Sequence, residues 1–244
     1  MINGLIVGFL AIFSGCIQAV TGFGGGIVNM LFMPSFYPLV EAAGISGATG
    51  GALAISIARR YRRQIRWKMM VLPLVIYLLV STLCVRISLA ADVRAMKMGL
   101  GAVLVVLGIY FLFAAGKFTL KRGPAAAIVC GVLGGILGGF FSIGGPPLAL
   151  YFLGITKSKE EYLGTLDATF TVTNLYLLAV RIFAGIITAS MIFPICCALA
   201  GILVGSWIGG KIVNKLNIAV MKKCIYAFLI VSGAITFLKA FLGA

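Results

Sequence analysis

Apolar segments of about the length that crosses a lipid bilayer, roughly 20 residues, follow one another along nearly the whole chain. Gly and Pro punctuation and charge clusters place them at about 3–20, 27–39, 44–58, 69–90, 97–115, 124–141, 147–155, 161–181, 188–208 and 223–241. Only short polar loops part them, so no stretch is left for a water-soluble domain. A chain that is 62% hydrophobic and 10% charged, with a mean hydropathy of +1.17, is built for lipid as its solvent. The expectation is one all-α integral membrane domain over 1–244. The start, Met-Ile-Asn-Gly, lacks the basic region of a secretory signal, and the first segment is expected to stay.

Two segments, 27–39 and 147–155, are too short to span at 1.5 Å per residue. Each follows a glycine-rich interruption, Thr21-Gly-Phe-Gly-Gly-Gly26 in one case and Ser142-Ile-Gly-Gly-Pro-Pro147 in the other. The two sit at matching places. Laying residue n on residue n+120 brings Gly15 to Gly135, Gly24-Gly25 to Gly144-Gly145 and Ala48-Thr49 to Ala168-Thr169. Later the offset drifts, to 121 for Pro73 and Pro194 and to 125 for Met96-Lys97 and Met221-Lys222. The chain reads as an internal duplication, 1–119 and 120–244, with interrupted segments in corresponding positions, a transporter pattern.

Basic residues give the orientation, because short cytoplasmic loops are enriched in Lys and Arg. If each interrupted pair is a hairpin that enters and leaves on one side, fifteen basic residues lie inside and five (Arg86, Arg94, Lys97, Arg181, Lys239) outside. If each interrupted segment crosses fully, the division is eleven to nine. The hairpin arrangement is favoured: two inverted repeats, each a Gly-broken helical hairpin followed by three transmembrane helices, with both termini outside the bacterial inner membrane. The net charge of +15 thus reports topology and contact with anionic lipid headgroups, chiefly at Arg59 to Arg66, rather than nucleic acid.

Small residues recur every fourth position at Gly131, Gly135, Gly139, at Gly201, Gly205, Gly209, and at Ser46, Gly50, Ala54, Ala58. Such stripes let helix backbones approach closely. A homodimer is left open.

Backbone that leaves a helix inside a membrane must be buried in protein or line a wet cavity, so the interruptions are the site candidates. Gly24, Gly25 and Gly26, and Gly144 and Gly145, let the chain turn. Half-helices starting near Ile27 and Pro147 would then aim their N-terminal ends inward, with Pro146 and Pro147 suited to a first turn. Two such ends can hold an anion without a buried Arg or Lys; the glycines can also serve kinks and packing alone. Gln18, Thr21, Asn29, Ser142, Thr49 and Thr169 are the polar side chains placed to complete the site, and Thr165, Thr169 and Thr173 form a stripe. A membrane Thr also bonds its own backbone.

The paired motifs, the Ala-Thr pairs that follow them and the basic loop after the first pair resemble the sulfite exporter TauE/SafE family over essentially the whole chain. That resemblance implies an inner-membrane transporter that exports sulfur-containing anions such as sulfite, sulfoacetate or related organosulfonates. The family is functionally mixed, so its motifs specify the substrate poorly.

Asp167 is an intramembrane carboxylate and therefore either a proton carrier or a helix-end charge beside Lys159. Glu41, Asp92, Glu160 and Glu161 fall in loops. Arg181, near a helix end, is expected to snorkel to the interface. There is no histidine, no CxxC among the six cysteines, no carboxylate pair placed for a pocket and no nucleotide motif. Metal, cofactor and enzyme readings therefore have no support. Rival readings are a passive anion channel and a membrane scaffold.

Overall fold

The computed structural model describes residues 2–21, 24–114, 123–212 and 218–242. These residues form α1 (Ile2–Thr21), α2 (Gly25–Phe32), α3 (Leu39–Arg60), α4 (Trp67–Ala90), α5 (Val93–Ile109), α6 (Pro124–Phe141), α7 (Gly145–Ile155), α8 (Lys159–Phe183), α9 (Ile192–Ile212) and α10 (Ile218–Leu242). Every expected apolar segment contains a helix, and the described residues include no strand. The expected segment 27–39 gives way at Phe32. Pro34 supplies no N–H and crowds the preceding turn, so the chain tightens into a 3-10 turn over Met33–Ser35.

Among the described residues, six helices are long and apolar enough to cross a membrane: α3, α4, α5 extended through Phe113, α6, α8, and α9 with the turn before it. Large apolar side chains such as Phe9, Leu79, Val106 and Trp207 lie exposed on the outer helix faces. This is the surface expected of a multi-pass membrane protein, where lipid replaces water.

The dominant helix pairs are α1 with α9, α4 with α6, α5 with α10 and α3 with α8. Exchanging each helix for its counterpart five places along the chain maps this set onto itself. The first helix of each half lies on the fourth helix of the other, while α3 and α8 form a pair between halves. Glycine makes these contacts close. A methyl on Gly15 would stand 2.3 Å from the Ile202 carbonyl oxygen of α9, and one on the equivalent Gly135 would stand 3.0 Å from that of Tyr77 on α4. Two of the three stripes expected to pack are seen in backbone contact: Gly201, Gly205 and Gly209 sit against the backbone of α1, and Gly131, Gly135 and Gly139 against α4.

At its N-terminal end α8 is capped by Ser158, whose Oγ accepts from the Glu161 N–H at 3.1 Å. Glu161 pairs with Arg66 of the α3–α4 connection, and the Arg66 N–H donates to Thr165 Oγ1 at 3.0 Å. The basic loop is thus fastened to the other half.

Candidate functional site

The two interruptions turn by different means. Gly24 has φ 107, a left-handed conformation that suits glycine. Ser14 on α1 steadies the turn by donating to the Gly25 carbonyl at 2.6 Å. In the second interruption the left-handed residue is Ser142 (φ 55), while Gly144 is helical at φ −68. Ser142 closes α6 by donating its N–H to Gly138 O at 3.0 Å, and Ile143 donates to Leu137 O at 3.1 Å. Gly144 is required for space instead: a methyl there would lie 2.6 Å from Gly134 O and 2.5 Å from the Tyr77 hydroxyl. The half-helices begin at Gly25 and Gly145, two residues earlier than the sequence suggests, because glycine and proline tolerate a helical first turn once the chain has reversed.

The interruptions touch across the halves. A methyl on Gly26 would stand 2.7 Å from the Ser142 carbonyl oxygen. Beside this contact is a cavity of about 50 Å³, walled by the starts of α2 and α7 and by side chains of α1, α3, α4 and α8. At about 10–15 Å³ for each water-sized group, it has room for roughly four such groups, the bulk of a small oxyanion. First-turn N–H groups have no partner within their own helix and carry the positive end of the helix dipole. The two ends are unequal donors, since Pro146 and Pro147 have no N–H. Gln18, Ser46, Tyr77, Ser142, Thr173 and Asn174 also face the cavity, although Ser142 Oγ already donates to Ala43 O at 2.6 Å and Thr173 Oγ1 to Phe170 O at 3.2 Å. The Ser46 hydroxyl is buried and has no hydrogen-bond partner among the described residues.

Arg181 overturns its expected role. It does not snorkel: it is 1% exposed, because α8 packs that face onto α3 and the end of α6. Its Nη1 donates to Ser142 Oγ at 2.8 Å and to Ala43 O at 3.1 Å. Its Nη2 donates to Gly138 O at 3.2 Å and Gly139 O at 3.0 Å. The guanidinium therefore serves the open Gly139 carbonyl and gives Gly138 O a second donor at the C-terminal end of α6, where a cation is favoured. Its four partners are neutral oxygens, and no described carboxylate pairs with it. A fixed positive charge thus stands one side chain, Ser142, away from the cavity.

The sequence-derived residues divide. Gly24, Gly26, Ser142, Gly144, Gly145 and Pro146 line the cavity. Gly25 lies behind it, against Gln18 and Ser14 of α1. Asn29 and Thr49 meet each other instead, Asn29 Nδ2 donating to Thr49 Oγ1 at 3.1 Å, and Thr49 Oγ1 donates to Ser46 O at 2.9 Å. Thr169 donates to Thr165 O at 2.8 Å within α8. The Thr21 side chain lies outside the described residues. Asp167 is fully buried on α8, off the cavity wall, with neither carboxylate oxygen hydrogen-bonded among the described residues.

Tyr77 and Asn174 are the functional candidates the sequence reading passed over. Tyr77 lies in a notch of α6 and the second interruption formed by Gly134, Gly138 and Gly144, and faces the cavity together with Thr173. Asn174 fills the space opened by Gly47, Gly50 and Gly51 of α3. A signal for it existed: Asp167, Asn174 and Arg181 are spaced by seven, which puts them on one helix face.

A family model described as sulfite exporter TauE/SafE matches residues 7–236. A protein of Cupriavidus necator named as a probable sulfite/organosulfonate exporter TauE is 23% identical over 231 residues, covering 91% of this chain and 89% of the relative. No solved structure matches.

Proposed function

Because the chain belongs to the sulfite exporter TauE/SafE family, we propose that it is a secondary transporter that carries sulfite or small organosulfonates out of the cell across the bacterial inner membrane. The relative's name supplies the substrate class. The observation that carries the reading is the cavity itself: two half-helix starts and a ring of hydroxyl and amide groups converge next to a buried guanidinium that has no carboxylate partner. In a low-dielectric interior such a site favours an anion and discriminates against cations. It suits pyramidal or tetrahedral oxyanions, which accept hydrogen bonds from several directions.

Transport proceeds by alternating access. The halves are inverted repeats, both termini lie outside, and α3 and α8 are the surfaces that rock past each other around the cavity. Helix pairing that maps onto itself when the halves are exchanged supports this, since two equivalent arrangements of such a pair can open to opposite sides. The basic loop fastened to α8 through Arg66 and Glu161 lies on the cytoplasmic side.

The test is counterflow. Proteoliposomes loaded with unlabelled sulfite and diluted into labelled sulfite should accumulate label transiently, because a carrier exchanges one bound anion for another. Monotonic equilibration without overshoot would indicate a passive pore, and no flux for any of sulfite, sulfoacetate, isethionate, taurine or thiosulfate would remove the transporter reading.

A further inference from the structure

Of the five acidic residues in the chain, Asp167 alone is buried. It lies at 0% exposure as the ninth residue of the 25-residue membrane-spanning helix α8, with both carboxylate oxygens unpartnered among the described residues. An ionised carboxylate in that setting is costly enough that protonation is the ordinary escape.

The position ties this group to the cavity. Asn174 lines the cavity wall, and Asp167 is seven residues before it on the same face of α8, about 10 Å along the helix axis. Arg181 is seven residues beyond it. One helix face therefore carries a buried acid, a cavity residue and a buried base in sequence, with the glycine face of α3 lying along the Asn174 to Arg181 part.

The charged groups around α8 leave Asp167 uncompensated. Arg66 is paired with Glu161, and Arg181 is engaged by four oxygens at the far end of the face. On the packed neighbours, Arg59 and Arg60 of α3 and Lys68 and Arg86 of α4 are exposed, Glu41 of α3 is half-buried, and Lys157 at the α7–α8 junction is exposed. Tyr77 of α4 faces the cavity, Tyr151 of α7 packs against Phe152, and Tyr162 lies on α8 five residues before Asp167.

We propose that Asp167 is the proton-binding group of the transport cycle: it holds its proton more tightly when an anion occupies the cavity and less tightly when the anion leaves. This rests on the anion-site reading. The step is a simple protonation, carboxylate plus solvent proton giving the neutral acid, and the reverse on release. An anion and an ionised Asp167 about 10 Å apart repel, so the protonated form binds anion more tightly, on the order of tenfold at an intermediate dielectric. The linkage is reciprocal, so anion binding raises the group's affinity for its proton.

The experiment is calorimetry of isethionate binding to the purified full chain from about pH 5 to about pH 8, in buffers of different ionisation heat. A sulfonate keeps its charge throughout, so any proton exchanged belongs to the protein. Wild type should take up protons on binding and lose about tenfold in affinity as the pH rises. Asp167→Asn, which mimics the neutral acid, should bind at the tight, pH-independent level with no proton uptake, and Asp167→Glu should keep the pH dependence. Proton uptake that persists in Asp167→Asn overturns the proposal, as does a monodisperse Asp167→Asn protein that no longer binds. If wild type binds neither isethionate nor sulfite at any pH, it is the anion-site reading that fails.

Discussion

Arg181 donates a 2.8 Å hydrogen bond to the hydroxyl of Ser142, and Ser142 is the left-handed residue at which α6 ends and the cavity begins. The guanidinium both holds the second interruption in shape and places a positive charge next to it. Arg181→Met should therefore remove about 3 kcal/mol of stability by leaving the Gly139 carbonyl without a donor and the end of α6 without its cation, read as a lower melting temperature in detergent. Arg181→Lys should recover part of that stability but not sulfite affinity, because a single ammonium cannot reach the oxygens on both sides. Sulfite affinity that survives in Arg181→Met would detach the charge from the site.

Contact between the interruptions makes steric predictions. Gly26→Val and Gly144→Ala place atoms against the Ser142 and Gly134 carbonyls, so both should abolish counterflow in protein that reaches the membrane at normal levels. Gly210→Ala, which would meet nothing within 4 Å, should leave transport intact. A counterflow assay at matched expression separates the two classes.

Side chains on the cavity wall should matter more than threonines that lie off it. Asn174→Leu should weaken sulfite binding by about 1–3 kcal/mol, the range for losing a buried polar partner. Thr169→Val, whose hydroxyl serves the Thr165 carbonyl, should cost less than about 1 kcal/mol. Equal losses in titration calorimetry would show that the cavity wall has been drawn in the wrong place.

How much of this the sequence foretold depends on how local each feature is. The membrane-spanning helices were legible because each is a long apolar run, and Gly15 and Gly135 stood out in the sequence because both lie where backbones nearly touch. The two interruptions were legible for the same reason. The floor of the cavity was not: Ser46, Tyr77 and Asn174 come from three helices distant in sequence, and only packing brings them together. Arg181 misled because it lies two residues before the end of α8, where an exposed arginine would reach for the interface; the end of α6, packed over it, decides otherwise. Thr49 and Thr169 align at the 120-residue offset, yet alignment of two sequence stretches does not point a side chain at a ligand.

Topology has its own test. With the halves inverted, the loop at 59–68 and the segment 211–223 share the cytoplasmic side. In a cysteine-free background, cysteines at Gln64 and Asn214, the latter outside the described residues, should both be shielded from an impermeant thiol reagent in intact cells. Labelling of Asn214→Cys from outside with Gln64→Cys protected would mean that the interrupted segments cross fully.

The central claim, that the anion sits between the starts of α2 and α7, is tested most directly by anomalous diffraction from crystals soaked in selenite, a heavier analogue of sulfite. The account predicts one anomalous peak in the cavity, within hydrogen-bond reach of Ser46, Ser142 and Asn174. A peak instead at the Arg59 to Arg66 surface, or in the larger opening of about 430 Å³ between Lys97 and Lys239, would contradict it.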